Sequence, residues 1–197
     1  MTLPMALLDF VPVVLFIIAA IVLQRGLYDK MSKGAFSLLS AGTIMVISAG
    51  IMKATWKLLM ALEICDFERL NNCFFPMQSV GFLLAGISVV ALVFFPQEKK
   101  EAAYAAAAPA VFQGTMIFVT LMILGCLGFC GGLGIYAARK KKTLSAVLFW
   151  VAFVLMLGMG YLSSRDFSES SMNWIAECVN VVGEGILLTA SVKLFKD

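Results

Sequence analysis

Histidine is absent from this 197-residue chain, and charged residues are scarce, at 14% of the sequence. Histidine is the commonest general base and metal ligand. The sequence also lacks a Ser/Cys–His pair and a glycine-rich loop ending in Lys-Ser/Thr. We therefore expect no enzyme, no metal site and no cofactor. A net charge of +3 is too small to indicate a nucleic-acid partner.

The five cysteines are odd in number, and none belongs to a CxxC pair. Zinc sites and disulfide frameworks use paired spacings, so neither is expected. Only Cys65 and Cys73, which flank one loop, are placed to form a disulfide, and only on an oxidising face. Cys126 and Cys130 share one helical face, where we interpret them as small buried thiols.

Long apolar runs dominate what is present: hydrophobic residues make up 61% of the chain, and the mean hydropathy is +0.96. A soluble domain carries roughly 25% charged residues, so this chain needs lipid as its solvent. We predict a single all-α domain, residues 1–197, with multi-pass topology in the cell membrane and the lipid bilayer as its partner. Helices are expected at about 3–23, 34–62, 73–95, 109–138, 144–162 and 171–195. The first run lacks the basic start and cleavage pattern of a signal peptide, which predicts a retained span.

Two helices carry further signals. Asn71 or Asn72 is expected to cap the third helix, with Pro76 in its first turn. On the fourth helix, Gly128 and Gly132 have the GxxxG spacing that lets a neighbouring helix backbone approach closely. We therefore predict tight packing through these two glycines.

Basic residues in short loops predict the orientation. Six antiparallel spans would place both termini on one side, and that side would carry nine of the 15 basic residues. Because basic loops stay in the cytoplasm, both termini are predicted to be cytoplasmic. Cys65 and Cys73 would then face the cytoplasm and stay reduced.

The two halves of the chain resemble each other in helix order. A shift of 102 residues aligns residues 71–93 with five identities, among them Gly81 with Gly183, and it places Gln78 on Asn180. Since each half would have an odd number of antiparallel spans, a duplication would give a 3+3 inverted repeat. Five identities are about twice the number that chance gives, so the repeat is a hypothesis.

A row of four polar residues lies along the sixth helix. Asn173, Glu177, Asn180 and Glu184 are spaced 4, 3 and 4 residues apart, so they share one face. Glu184 lies roughly 20 Å into the span at 1.5 Å per residue. A charged group at that depth costs roughly 2.5–3.5 kcal/mol on insertion scales. We therefore expect Glu184 to face the interior and to be protonated or to have a partner.

Lysines on the second helix are the candidate partners. Lys53 is expected at a depth similar to that of Glu184, whereas Lys57 is expected to extend to the membrane interface. Asp9 could meet either lysine at that face. Asn71 and Gln78 are seven residues apart and share a face of the third helix, so they could complete the polar lining.

Two functions remain open from the sequence. In the first, the polar interior binds or transports a small solute or proton; the candidate site residues are Glu184, Glu177, Asn180, Asn173, Lys53 and Gln78. In the second, the protein is a non-transporting membrane partner or sensor subunit whose polar groups only pack helices together. The sequence identifies neither a solute nor a protein partner.

Overall fold

The computed structural model describes residues 3–95, 115–163 and 170–196, and within these ranges the secondary structure is helical without strands. The helices are α1 (Leu3–Lys30), α2 (Lys33–Ala61), α3 (Glu68–Phe94), α4 (Thr115–Cys126, Leu127–Gly131 and Gly132–Arg139), α5 (Thr143–Ser163) and α6 (Ser170–Phe195). Five of them are long and apolar enough to cross a membrane. The prediction of an all-α, multi-pass membrane bundle of six helices is confirmed.

The start of α3 differs from the prediction. The helix begins at Glu68, five residues early, so Asn71 and Asn72 lie inside it, and the residue before the helix, Phe67, makes no side-chain cap. Glu, Arg and Leu are good helix formers, and an acidic residue in the first turn favours the helix start. Pro76 therefore lies in the third turn and not in the first. The predicted start of the fourth helix, at about residue 109, lies outside the described residues.

Contacts between helix ends establish the direction of each helix. Helices α1 and α2 are antiparallel, because Lys57 near the end of α2 contacts Asp9 near the start of α1. Helices α3 and α4 are parallel, because Arg139 at the end of α4 donates a hydrogen bond to the carbonyl of Val93 at the end of α3. Helix α3 thus ends, and α4 begins, at opposite ends of the bundle.

Helix α6 runs parallel to α1. Gly26, near the end of α1, lies against the ring of Phe195 at the end of α6. At the same end, Lys142, just before α5, donates a hydrogen bond to the carbonyl of Lys196, so α5 and α6 are antiparallel. We call the end at which α1 begins the N-terminal end, and the end at which α6 finishes the C-terminal end.

These directions correct two predictions. Because α1 begins and α6 finishes at opposite ends of the bundle, both termini cannot lie in the cytoplasm when the bundle spans a membrane. The three helices of each half also run in the same sequence of directions, so the halves are not inverted relative to each other. The sequence argument assumed that each helix is antiparallel to the next, and the pair α3 and α4 breaks that assumption.

The helices form a ring in chain order, which α6 closes by packing on α1. A duplication would relate the halves by an axis along the membrane normal, as in parallel repeats. The starts of α3 and α6, Glu68 and Ser170, are separated by the same 102 residues that align the sequences. The duplication itself stays a prediction, but its geometry is parallel.

Glycines allow the closest helix contacts. A Cβ atom added at Gly128 would lie 3.0 Å from the Cα of Gly86, and one added at Gly132 would lie 2.8 Å from Cγ1 of Val89. Both distances are shorter than ordinary van der Waals contact. The predicted packing through Gly128 and Gly132 is therefore confirmed, and the neighbour is α3.

We expect Gly128→Leu to lower the free energy of unfolding by about 1–3 kcal/mol, the usual cost of overpacking. A Cβ at Gly158 has no heavy atom within 4 Å among the described residues, so Gly158→Leu is the matched control. Unfolding in detergent measures both variants. Equal stability of the two would contradict the close approach of α3 and α4.

A candidate solute or proton site

Asp9 lies at a break in α1. The helix is interrupted there, between Leu3–Leu8 and Phe10–Leu27. Pro12 has no N–H to donate to the carbonyl of Leu8, four residues earlier, which explains the break. The Asp9 side chain is nonetheless buried, with 6% of its surface exposed.

Asp9, Lys57 and Glu177 form a cluster of buried charges that joins α1, α2 and α6, which we call the charge cluster. The Lys57 Nζ atom lies 2.8 Å from Oδ1 of Asp9 and also donates a hydrogen bond to Oε1 of Glu177. The lysine side chain is only 13% exposed. A buried charge needs such partners, because an unpaired one is costly in an apolar interior.

The charge cluster corrects the prediction for Lys57 and confirms one for Asp9. Lys57 does not extend to the interface but pairs with both carboxylates, while Asp9 meets one of the two candidate lysines, as expected. The error came from the assumed direction of α6. With α6 antiparallel to α2, Glu177 lies beside Lys57.

A half-open cavity with a volume of about 60 Å³ lies between the helices next to the charge cluster. Its polar lining is Asp9, Lys53, Gln78, Asn180 and Glu184; its apolar lining is Pro12, Val13, Phe16, Val46, Ile47, Gly50 and Phe74. At about 10–15 Å³ per water centre, it has room for roughly four to six water molecules. The polar residues come from α1, α2, α3 and α6.

Lys53 lies on the wall of this cavity. Its Nζ atom is 4.2 Å from the centre of the Phe74 ring, a cation–π contact. No ion pair joins Lys53 to any described carboxylate, Glu184 included. The lysine expected to partner Glu184 therefore shares a cavity with it but makes no salt bridge to it.

Glu184 has a buried oxygen atom without a partner. Its Oε2 atom has almost no exposed surface and makes no hydrogen bond to any described residue. Most buried polar side-chain atoms in proteins are hydrogen-bonded, so an exception needs an explanation. Because Glu184 lines the cavity, a water molecule, a proton or a solute there would satisfy this atom. The predicted interior position of Glu184 is confirmed.

The structure brings together four of the six candidate site residues: Lys53, Gln78, Asn180 and Glu184 all line the cavity. Glu177 belongs to the adjoining charge cluster, and Asn173, one turn nearer the N-terminal end, does not line the cavity. Gln78 and Asn180, which the 102-residue shift aligns, occupy matching places on α3 and α6. The roles of all six residues stay predictions.

Aromatic side chains pack at the inner end of the cavity. Phe16, which lines the cavity, has its ring centre 6.0 Å from that of Phe82, and Phe82 is 6.2 Å from Phe129. All three are at most 4% exposed. We call them the aromatic layer. Phe16 is the member of this layer that lines the cavity.

Sequence reasoning left two charged residues of the cavity and the cluster, Asp9 and Lys57, and two aromatic residues of the cavity, Phe16 and Phe74, out of the site. Two signals could have found the first pair. Asp9 is an acidic residue inside an apolar run, three residues before a proline, and Lys57 is one helical turn from Lys53. The two phenylalanines have no such signal among 16 in the chain.

No family model matches the chain, and comparison with curated proteins and with solved structures finds no match. The protein is a multi-pass helical membrane protein with a small cavity between its helices that is lined by polar and charged side chains.

Proposed function

We propose that the protein binds and passes a small solute or proton through the cavity inside its helical bundle. The observation that carries this proposal is the buried, unpartnered Oε2 atom of Glu184, in a cavity that Lys53 also lines. Ionisable residues inside membrane bundles mark ion, proton and solute pathways.

The alternative is a membrane partner or sensor subunit whose polar groups only pack helices. The charge cluster favours this second function, because its three side chains bind one another and join three helices. Glu184 and Lys53 differ from that pattern, since neither is paired with a described charged residue. Helix packing does not require two opposite charges to line one cavity without forming a salt bridge. We therefore favour a binding site over packing alone.

The first test compares Glu184→Gln with the parent protein in liposomes. Glutamine keeps the shape and a hydrogen-bonding group but cannot carry the negative charge. A lost charged hydrogen bond is worth about 1.5–3 kcal/mol, so we expect binding to weaken roughly 10- to 150-fold and flux to fall with it. Proton flux is measured with a pH-sensitive dye inside the liposomes, and solute entry by osmotic swelling.

Glu63→Gln is the matched control, since Glu63 is exposed in the loop between α2 and α3 and should leave flux unchanged. If Glu184→Gln were as active as the parent in both assays, the cavity would not be a transport site. The result would then favour the alternative, in which the polar groups only pack helices together.

We propose that the protein lies in the cell membrane and that the C-terminal end of the bundle faces the cytoplasm. With the observed helix directions, nine described basic residues lie toward the C-terminal end: Arg25, Lys30, Lys33, Arg139, Lys140, Lys141, Lys142, Lys193 and Lys196. Three lie toward the N-terminal end: Lys53, Lys57 and Arg69. Because loops rich in basic residues stay in the cytoplasm, this bias of nine to three favours the C-terminal end as the cytoplasmic one.

Cysteine labelling tests this orientation. Cys65 is exposed in the loop between α2 and α3, at the N-terminal end. After mild reduction, we expect a membrane-impermeant maleimide to label Cys65 in intact cells, and the signal to fall in Cys65→Ser. Labelling of Cys65 only after the membrane is opened would contradict the proposal.

A further inference from the structure

Two opposite charges line one small cavity without neutralising each other. Lys53 and Glu184 make no salt bridge, and each lacks a described ion-pair partner elsewhere. In contrast, the nearby charge cluster pairs Lys57 with both of its carboxylates. Lys53 is attracted electrostatically by Asp9 and Glu177 but bonds to neither, and Glu184 has a buried oxygen without a partner among the described residues. The ammonium group of the one and the carboxylate of the other are therefore both open to a ligand.

A ligand of a single charge fits only half of this lining. A small cation would bind Glu184 but would be repelled by Lys53, and a small anion would bind Lys53 but would be repelled by Glu184 and Asp9. A proton on Glu184 satisfies that carboxylate and leaves Lys53 with the Phe74 ring as its neighbour. A molecule that carries both charges satisfies both residues together.

The remaining lining suits a compact dipolar molecule. Gln78 and Asn180 each offer an amide with both a donor and an acceptor. Phe16 and Val46 form part of the apolar wall beside these polar groups. A volume of about 60 Å³, with room for roughly four to six water molecules, suits an occupant of a few non-hydrogen atoms.

We propose that the cavity binds a small zwitterion, with its ammonium group on Glu184 and its carboxylate on Lys53. This inference rests on the proposed function and names the class of solute. Glycine, the smallest amino acid, is the probe, because its two charged groups are separated by one carbon. Methylammonium and acetate each carry one of its charges and are the matched comparisons.

The experiment measures the melting temperature of the purified protein in detergent by tryptophan fluorescence, with each probe at equal ionic strength. At ten times its dissociation constant, a ligand should raise the melting temperature by roughly 3–6 °C for a chain of this size. We expect glycine to do so, and methylammonium and acetate to leave it unchanged. This comparison uses the unmodified protein, so it does not depend on the folding of a variant.

Two variants then locate the effect. Lys53→Met and Glu184→Gln should each abolish the glycine shift, while Lys193→Met, which removes an exposed lysine from α6, should retain it. Stabilisation by methylammonium or acetate alone, or a glycine shift that survives both cavity variants, would overturn the zwitterion site. If no probe stabilises the parent but Glu184→Gln still changes proton flux, this inference fails and the proposed function stands. If flux is also unchanged, both fail.

Discussion

Replacing Lys57 with methionine is expected to lower the free energy of unfolding by about 3–5 kcal/mol. Lys57 is the shared partner of Asp9 and Glu177, whose side chains are only 6% and 7% exposed. Methionine keeps much of the packing but leaves two buried carboxylates facing each other without the lysine that bonds to both. Unfolding by denaturant in detergent micelles measures the loss.

Three further variants show whether charge is the cause. Lys57→Arg keeps the positive charge and should cost less than Lys57→Met, and Lys193→Met should cost little because Lys193 is exposed. Combining Asp9→Asn, Lys57→Met and Glu177→Gln removes all three charges and should recover most of the stability, since no charge of the cluster is then buried unpaired. If Lys57→Met were no less stable than Lys193→Met, the charge cluster would have no stabilising role.

The second large effect is expected at the contact between α2 and α3. A Cβ atom at Gly42 would lie 2.5 Å from the carbonyl oxygen of Gly81 and 2.7 Å from the amide nitrogen of Ala85. Both contacts are to backbone, which cannot rotate away as a side chain can. We therefore expect Gly42→Ala to cost at least the upper end of the usual 1–3 kcal/mol for overpacking.

The same contact makes a second substitution informative. A Cβ at Gly81 would lie 2.8 Å from the carbonyl oxygen of Gly42, so either alanine forces the same two helices apart. The double variant Gly42→Ala with Gly81→Ala should therefore cost less than the sum of the single variants. Gly185→Ala is the control, because a Cβ there has no heavy atom within 4 Å among the described residues. Strict additivity, or a Gly42→Ala as stable as the control, would contradict the close helix contact.

This contact also bears on the candidate site. Lys53 on α2 is held over the ring of Phe74 on α3, near the end of the same helix pair. Separation of α2 and α3 would move the ammonium group relative to Glu184 on α6. We therefore expect Gly42→Ala to lose stability and also to lose the rise in melting temperature that added glycine produces in the parent protein.

The sequence predicts those features of the site that depend only on residues close together in the chain. The four residues of the polar row share a face because helical periodicity is local, and Glu184 indeed lines the cavity. Pairing between helices depends on their relative direction. For that reason the sequence chose Lys53 as the partner of Glu184 and missed the pairing of Lys57 with Glu177.

The sequence by itself determined the class of protein and the helices. Apolar runs of spanning length can only be helices in lipid, because every backbone polar group there must be satisfied within its own segment. It also determined that Gly128 permits a close helix neighbour and that Glu184 must avoid lipid.

Only the tertiary structure decided that α3 and α4 run parallel, and this one relation changed the positions of the termini and the orientation of any repeat. The physical reason is that helix formation is local, whereas the direction of one helix relative to another depends on which surfaces fit. Here a glycine contact between α3 and α4 and a buried lysine between two carboxylates hold the arrangement together.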